Sequence, residues 1–245
     1  MVVMSLSTQS RDMPRDLPSL NAFYQDQTPQ EILHHAITQE FLDRICIVSS
    51  FGAESVILLH MIAEIDPSVP VIMLNTGKLF GETLRYRDRL QGRLGLTDVR
   101  AAAPLPADLL AHDPKGGLWQ SDTDGCCEVR KVRPQARATE KFDALITGRK
   151  KFQTDTRQSM DILERDTDGR YKLNPLANWQ LDALKSYIET HDLPRHPLVK
   201  DGYLSIGCMP CTNKVESGGD YRSGRWAGSE KDECGIHLNV DGDGI

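Results

Sequence analysis

The chain has 245 residues, 39% of them hydrophobic and 26% charged, with a formal net charge of −6. That length holds one large domain or a domain and a half with a packed core. The acidic balance excludes a bulk nucleic-acid binder, whose phosphate contacts demand a basic surface. The first twenty residues carry Arg11, Asp12, Arg15 and Asp16 and no long apolar stretch, so they do not read as a secretion signal. No run approaches the length of a membrane span. A cytoplasmic setting is expected, where six reduced cysteines bind metal or do chemistry more often than they pair as disulfides.

Residues 1–44 read as a polar, proline-marked leader followed by a helix over about 28–44. Ile32, Leu33, Ala36, Ile37, Phe41 and Leu42 recur there near helical spacing. Thr28, Pro29 and Glu31 offer a cap, a first-turn proline and a capping acid. Residues 45–217 alternate short β-rich runs with amphipathic stretches: ICIVSS, a helix over 53–65, VPVIMLN, a helix over 81–93, and DVRAA. This alternation predicts an α/β fold, a parallel twisted sheet with helices on both faces, whose ligand sits at the carboxyl ends of the strands. A helix near 124–141 interrupted at Pro134, a strand in DALITG, two short strands around Asp168-Gly169, and a helix over 179–191 follow. Residues 218–245, with Gly218, Gly219 and Gly224, are expected to form a mobile carboxyl-terminal tail.

Several stretches carry chemistry. Ser49-Ser50-Phe51-Gly52-Ala53-Glu54-Ser55 joins the first strand to its helix, a junction where backbone N–H groups bind anions. It lacks the Gly-Lys-Ser/Thr ending of a Walker A loop, and such a turn also serves simply to cap a helix. The second strand runs out into Leu74-Asn75-Thr76-Gly77-Lys78-Leu79-Phe80 at the same edge, where backbone and an apolar wall could hold a base. Cys126 and Cys127 are adjacent, and Cys208 and Cys211 bracket Met209-Pro210; four thiolates could enclose one metal centre. Adjacent cysteines do not make the paired knuckles of a zinc ribbon, so an iron–sulfur cluster fits better, with zinc as the alternative. Lys131, about one helical turn past Cys127, is placed to face both a cluster and an anion, and Arg149, Lys150, Lys151 and Arg157 add cations further on. Near the end, Arg222, Arg225, Lys231 and His237 surround Cys234, and cations favour its thiolate, the nucleophilic form. Cys46, inside the first strand, reads as a small core residue.

Together these motifs resemble the assimilatory sulfonucleotide reductases, in particular the iron–sulfur adenylyl-sulfate (APS) reductases. The resemblance covers roughly residues 45–238 and rests on SSFGAES, LNTGKLFGETLRY, CCEVRKVRP, ITGRKKFQTDTRQ, GYLSIGCMPCT, the Arg222 and Arg225 pair, and ECGIHL. It implies an adenine-nucleotide α-hydrolase-like (PP-loop-like) fold and a [4Fe–4S] cluster on Cys126, Cys127, Cys208 and Cys211. It further implies a nucleophile at Cys234, with Lys131, Arg222, Arg225 and His237 about the phosphosulfate. The nucleotide would lie against Ser49, Ser50, Phe51, Gly52, Glu54, Leu74, Thr76, Gly77 and Lys78, with Arg149 nearby. Asn75, Lys78 and Gly81 depart from the aspartate, arginine and proline common in that family, which bears on local nucleotide contacts. The implied reaction is reduction of adenylyl sulfate to sulfite and AMP through a cysteine S-sulfonate. Thioredoxin would be the reductant, and the setting sulfate assimilation and cysteine biosynthesis. PAPS reduction, alone or beside APS reduction, is the nearest alternative. An ATP-dependent adenylating enzyme would show Ser-Gly-Gly-x-Asp-Ser at the first loop, which is absent, and a non-catalytic iron–sulfur sensor is a third class. Homo-oligomers are common in the family, and no seam for one is legible.

Overall fold

Six short strands, β1 (Ile45–Ser49), β2 (Val71–Leu74), β3 (Val99–Ala102), β4 (Ala144–Ile146), β5 (Leu163–Arg165) and β6 (Tyr171–Leu173), form one sheet in the order β3-β2-β1-β4-β6-β5. The computed structural model describes residues 16–166, 168–216, 218–226, 231 and 235–237. Every neighbouring pair is parallel except β5 and β6, which form an antiparallel hairpin at one edge. The unbroken apolar character of β1, β2 and β4 follows from coverage on both faces. Ile45 and Ile47 point into the larger core with α3 (Ser55–Ile65), whereas Cys46 joins Ile72, Leu74, Phe142 and Leu145 on the opposite face. Cys46 is fully buried, and that burial pushes its thiol up to about 12, so it is the core residue expected. The helices α4 (Gly81–Leu94) and α9 (Leu181–Thr190) cover the sheet as predicted, the latter burying Leu184 and Ile188. No described helix is long and apolar enough to cross a membrane.

Three expectations change. The leader contains a helix, α1 (Leu17–Tyr24), started by Asp16, whose carboxylate accepts from the Ser19 N–H at 2.8 Å. Leu20 and Tyr24 are fully buried in the main core. Asn21 donates to the Leu163 carbonyl (2.8 Å) and accepts from the Leu163 N–H (2.9 Å), so α1 satisfies the open edge of β5. The next helix, α2 (Pro29–His35), has the capping box of Thr28 and Glu31, then continues as a π-helical stretch over Ala36–Glu40 and stops short of residue 44. Asp43, with φ of 60°, turns the chain into β1, and Leu42 is left exposed instead of on the apolar face.

The third change concerns Pro134, which does not interrupt its helix. After the short helices α5 (Pro106–His112) and α6 (Leu118–Ser121), α7 (Thr123–Cys127) runs through a π-helical stretch at Glu128–Val132 into α8 (Arg133–Thr139). The Arg133 N–H reaches back five residues to the Glu128 carbonyl. That wider turn gives room where a proline ring would otherwise meet the carbonyl four residues before it.

Candidate functional site

From β1 the chain builds outward through β2 to β3, then crosses back to lay β4 on the other side of β1. The crevice beyond the carboxyl ends of β1 and β4 is therefore the topological switch point of the sheet. A cavity of about 240 Å³ lies there, lined by Ser49, Ser50, Gly52 and Glu54 from the first loop and by Leu74 and Thr76 after β2. Lys131 and Gln135 come from the cysteine-bearing helix, and Thr147, Arg149 and Lys150 follow β4. Ile206, Gly207, Cys208, Tyr221, Arg222, Arg225 and Trp226 close it from the carboxyl-terminal side.

The first loop is held in shape by its own side chains. Gly52 N–H donates to Ser55 Oγ (3.0 Å) and Ser50 Oγ (3.3 Å), and Phe51 N–H donates to Ser49 Oγ (3.2 Å). Phe51 takes a left-handed φ of 49° and sinks its ring completely into the core, so it anchors the loop instead of lining the cavity. Gly52 is needed for close approach, because a Cβ there would stand 3.0 Å from the Ile206 carbonyl oxygen.

The cavity is strongly cationic in an acidic chain. Seven cations, Lys131, Arg149, Lys150, Arg157, Lys172, Arg222 and Arg225, face one carboxylate, Glu54, among the described lining residues. Carboxylates hold several of them from behind. Glu54 pairs with Lys150, Glu164 with Arg149, and Asp166 with Lys172 at 2.8 Å. Glu164 also accepts from Asn174 Nδ2 (2.9 Å), and Asn174 Oδ1 accepts from Thr147 Oγ1 (2.5 Å), which fixes Arg149 against the sheet. Burial lowers the pKa of Lys150, against the opposing pull of Glu54. Burial, reinforced by Glu54, raises that of Tyr221, whose hydroxyl bonds the same carboxylate. Of the buried side-chain polar atoms that lack a partner among the described residues, four belong to residues that line this cavity: Glu54 Oε1, Gln135 Oε1, Arg225 Nε and Trp226 Nε1. Each such group costs about 1–3 kcal/mol unless something meets it, so their gathering marks a place for a polar ligand.

A second, smaller cavity adjoins the first. Cys126, Cys127, Cys208 and Cys211 all line it, with Lys78, Arg130 and Lys131. Three of these thiols are buried and Cys211 is half-buried. Burial pushes the Cys126 and Cys211 thiols up; Arg130 opposes this at Cys126, and Lys131, Arg225 and Lys231 oppose it at Cys211. Arg130 is fixed by Asp113 (2.6 Å) and by the Thr76 carbonyl (2.8 Å), and Thr76 Oγ1 lies 3.3 Å from Cys208 Sγ. Lys131 and Cys208 line both cavities. Among the described residues, no three His, Cys, Asp or Glu side chains gather closely enough to hold a single metal ion.

Most of the residues singled out in the sequence converge here, with exceptions. Ser49, Ser50, Gly52, Glu54, Leu74, Thr76, Lys131, Arg149, Arg222 and Arg225 line the larger cavity, and the four cysteines line the smaller one. Gly77, with φ of 71°, shapes the turn without lining either cavity, while Lys78 faces the cysteines and donates to the Gly116 carbonyl at 2.6 Å. Gly235–His237 forms a single 3-10 turn. Ile236 of that turn reaches the larger cavity, and Lys231 pairs with Asp124 of α7. Cys234 and the His237 side chain lie outside the described residues.

Gln135, Lys172, Tyr221 and Trp226 were not singled out. Gln135 and Lys172 sit in segments whose periodicity reads as packing; the Arg225-Trp226 step was the available signal for Trp226. Arg225 stacks 4.4 Å above the Trp226 ring, pairs across to Thr212, and occupies the space a side chain on Gly207 would fill.

Comparison with known proteins adds four findings. The phosphoadenosine phosphosulfate reductase domain matches residues 44–214. A Mesorhizobium japonicum protein named adenosine 5′-phosphosulfate reductase is 51% identical over 220 residues, 90% of this chain and 86% of its own length. The phosphoadenylyl-sulfate (PAPS) reductase of Candida auris, solved as a phosphate complex, superposes with a TM-score of 0.68 at 26% identity, over 86% of this chain and 99% of that one. The FMN adenylyltransferase of Candida glabrata shares the fold alone, with a TM-score of 0.55 at 14% identity over 84% of this chain and 71% of its own.

Proposed function

Because this chain belongs to the phosphoadenosine phosphosulfate reductase domain family, we propose that it reduces adenylyl sulfate to sulfite and AMP in sulfate assimilation, feeding cysteine biosynthesis. Cys234 takes up the sulfonate group, and thioredoxin supplies the electrons. One observation carries the reading. The cationic cavity at the switch point and a four-cysteine cavity share Lys131 and Cys208 in their linings. The seven cations of the first cavity suit a dianionic nucleotide, and the 51% identical relative named for adenosine 5′-phosphosulfate favours that substrate over its 3′-phosphorylated form. The adenylyltransferase likeness extends to the fold only, and the first loop reads Ser-Ser-Phe-Gly-Ala-Glu-Ser, not the Ser-Gly-Gly-x-Asp-Ser of an ATP-dependent adenylating enzyme.

The chemistry follows from the residues. The Cys234 thiolate attacks the sulfuryl sulfur; an S–S bond forms, the S–O bond to the phosphate breaks, and its electron pair leaves with AMP. Lys131, Arg222 and Arg225 neutralise charge on the phosphosulfate as it shifts to the leaving phosphate. A thioredoxin thiolate then attacks the Cys234 sulfur, sulfite departs with the bonding pair, and the second thioredoxin thiol resolves the mixed disulfide. The two electrons gained by sulfur come from the thioredoxin dithiol, a partner suited to a cytoplasmic setting.

The donor set fits a [4Fe–4S] cluster held by Cys126, Cys127, Cys208 and Cys211. The four cysteines line one shared cavity, and four thiolates around one space are the donors such a cluster would take. Bound there, such a cluster would tie the helix bearing Cys126 and Cys127 to the Cys208–Cys211 loop and would set its anionic thiolates beside Lys131, while the electrons would come from thioredoxin.

Incubation with adenylyl sulfate in the absence of thioredoxin is expected to leave a sulfonate on the peptide bearing Cys234, seen by mass spectrometry. Cys234→Ser is expected to abolish both this adduct and sulfite release while the cluster absorbance stays. Sulfite production at full rate by enzyme alkylated at Cys234 would refute the proposal.

A further inference from the structure

Arg225 and Trp226 are consecutive residues, and each buries a hydrogen-bond donor, Nε and Nε1 respectively, that meets no acceptor among the described residues. Trp226 is 6% exposed and lines the cavity. The rest of it is pinned. Its backbone N–H donates to the Cys211 carbonyl at 3.1 Å, and its φ of 50° is a left-handed value that a bulky residue keeps only where its surroundings impose it. Its ring carries the Arg225 guanidinium at 4.4 Å and that of Arg222 at 5.8 Å. A phenylalanine ring would offer the same stacking face without burying a donor. The indole N–H, which can only donate, is therefore the feature that needs an explanation.

We propose that Trp226 is a substrate-binding residue whose indole N–H, alongside the Nε–H of Arg225, donates to an oxygen of the phosphosulfate. In a cavity furnished with cations and donors, the complement of an unmet N–H is an anionic acceptor, and a tetrahedral oxyanion presents several oxygens at once. Because the Trp226 backbone hangs from Cys211, the same residue ties the placement of this donor to the cysteine-bearing loop. The proposal rests on the reading of the cavity as the adenylyl-sulfate site.

The test uses the cluster-containing enzyme. Trp226→Phe keeps the stacking ring, so its thermal midpoint and cluster absorbance are expected to match the unsubstituted enzyme. Its kcat/KM for sulfite release is expected to fall about tenfold or more, the effect of losing one hydrogen bond to a charged group. A direct readout uses the Cys234→Ser variant labelled with nitrogen-15 at the indoles of its three tryptophans. The signal missing from the additional Trp226→Phe variant is expected to move downfield on addition of adenylyl sulfate. Movement with AMP as well places the acceptor on the phosphate, and movement only with adenylyl sulfate places it on the sulfuryl group. Calorimetric binding of adenylyl sulfate with no movement of that signal overturns this proposal alone. Absence of binding overturns the functional reading and this proposal with it.

Discussion

Replacing Gly207 by alanine tests the site through a residue that contributes no functional group of its own. A Cβ at this position would fall 1.7 Å from Arg225 Nη1, 2.5 Å from Cζ and 2.6 Å from Nη2. All three atoms belong to the end of a flexible side chain, and Gly207 is not among the glycines with positive φ, so the backbone tolerates alanine and the guanidinium must leave. It would give up its 3.3 Å bond to Thr212 Oγ1 and its stack on Trp226, a loss of about 1 kcal/mol in folding stability. The larger effect falls on the substrate. A hydrogen bond to a charged group contributes about 1.5–3 kcal/mol, and with 1.4 kcal/mol per factor of ten the expected fall in kcat/KM is about 10- to 150-fold. The assay is steady-state sulfite release, with cluster absorbance and thermal midpoint as controls. In the Arg225→Ala background the same substitution is expected to cost nothing further, since its target has gone. Full activity in Gly207→Ala, or an equal loss with and without Arg225, would refute the reasoning.

Two further predictions concern the frame around the site. Asn21→Ala removes both bonds to Leu163 and is expected to lower the unfolding free energy by about 1–3 kcal/mol in chemical denaturation; an unchanged midpoint would show that α1 does not secure the β5 edge. His196 is 1% exposed and takes the Leu198 N–H on Nδ1 (3.2 Å), so its proton sits on Nε2 and points to Thr83 Oγ1 (3.0 Å). Burial lowers its pKa to about 4, from an unfolded value of 6.5. Between these values the unfolded chain holds a proton that the folded chain refuses, so this contribution is intact above about pH 6.5. It is lost as the pH falls towards 4, by up to about 3 kcal/mol. His196→Gln is expected to flatten that part of the stability profile measured by denaturant titration, and an unchanged slope would count against it.

Local pattern made the sheet legible. Strands such as Val71–Leu74 and Ala144–Ile146 are apolar throughout because both faces are covered, and the helices between them carry clear stripes. The cysteine pairs were legible from spacing, and Lys131 from its distance to Cys127. What escaped depends on contacts between distant segments. The helix at Leu17–Tyr24 spans only eight residues, too few for its apolar spacing to announce it, and it is secured through Asn21 by a strand edge 142 residues away. The carboxylates that aim Arg149 and Lys172 lie on or beside the β5–β6 hairpin, whose pattern announces only strands. Pro134 read as a break because the rule assumes a uniform α-helix, and the Glu128–Val132 turn is not one.

That wide turn has a consequence for how the two cavities can vary. One added residue swings the helix after it by about 100° relative to the part before it. Cys126 and Cys127 therefore keep one azimuth while Gln135 and Thr139 keep another, and Lys131 sits in the offset between them. The proposed sulfur ligands at the front end and the cavity-lining Gln135 at the back end are set by separate rotational phases. Either end can be remodelled by substitution while the offset persists, whereas deleting a single residue between them would rotate one end by about 100° against the other.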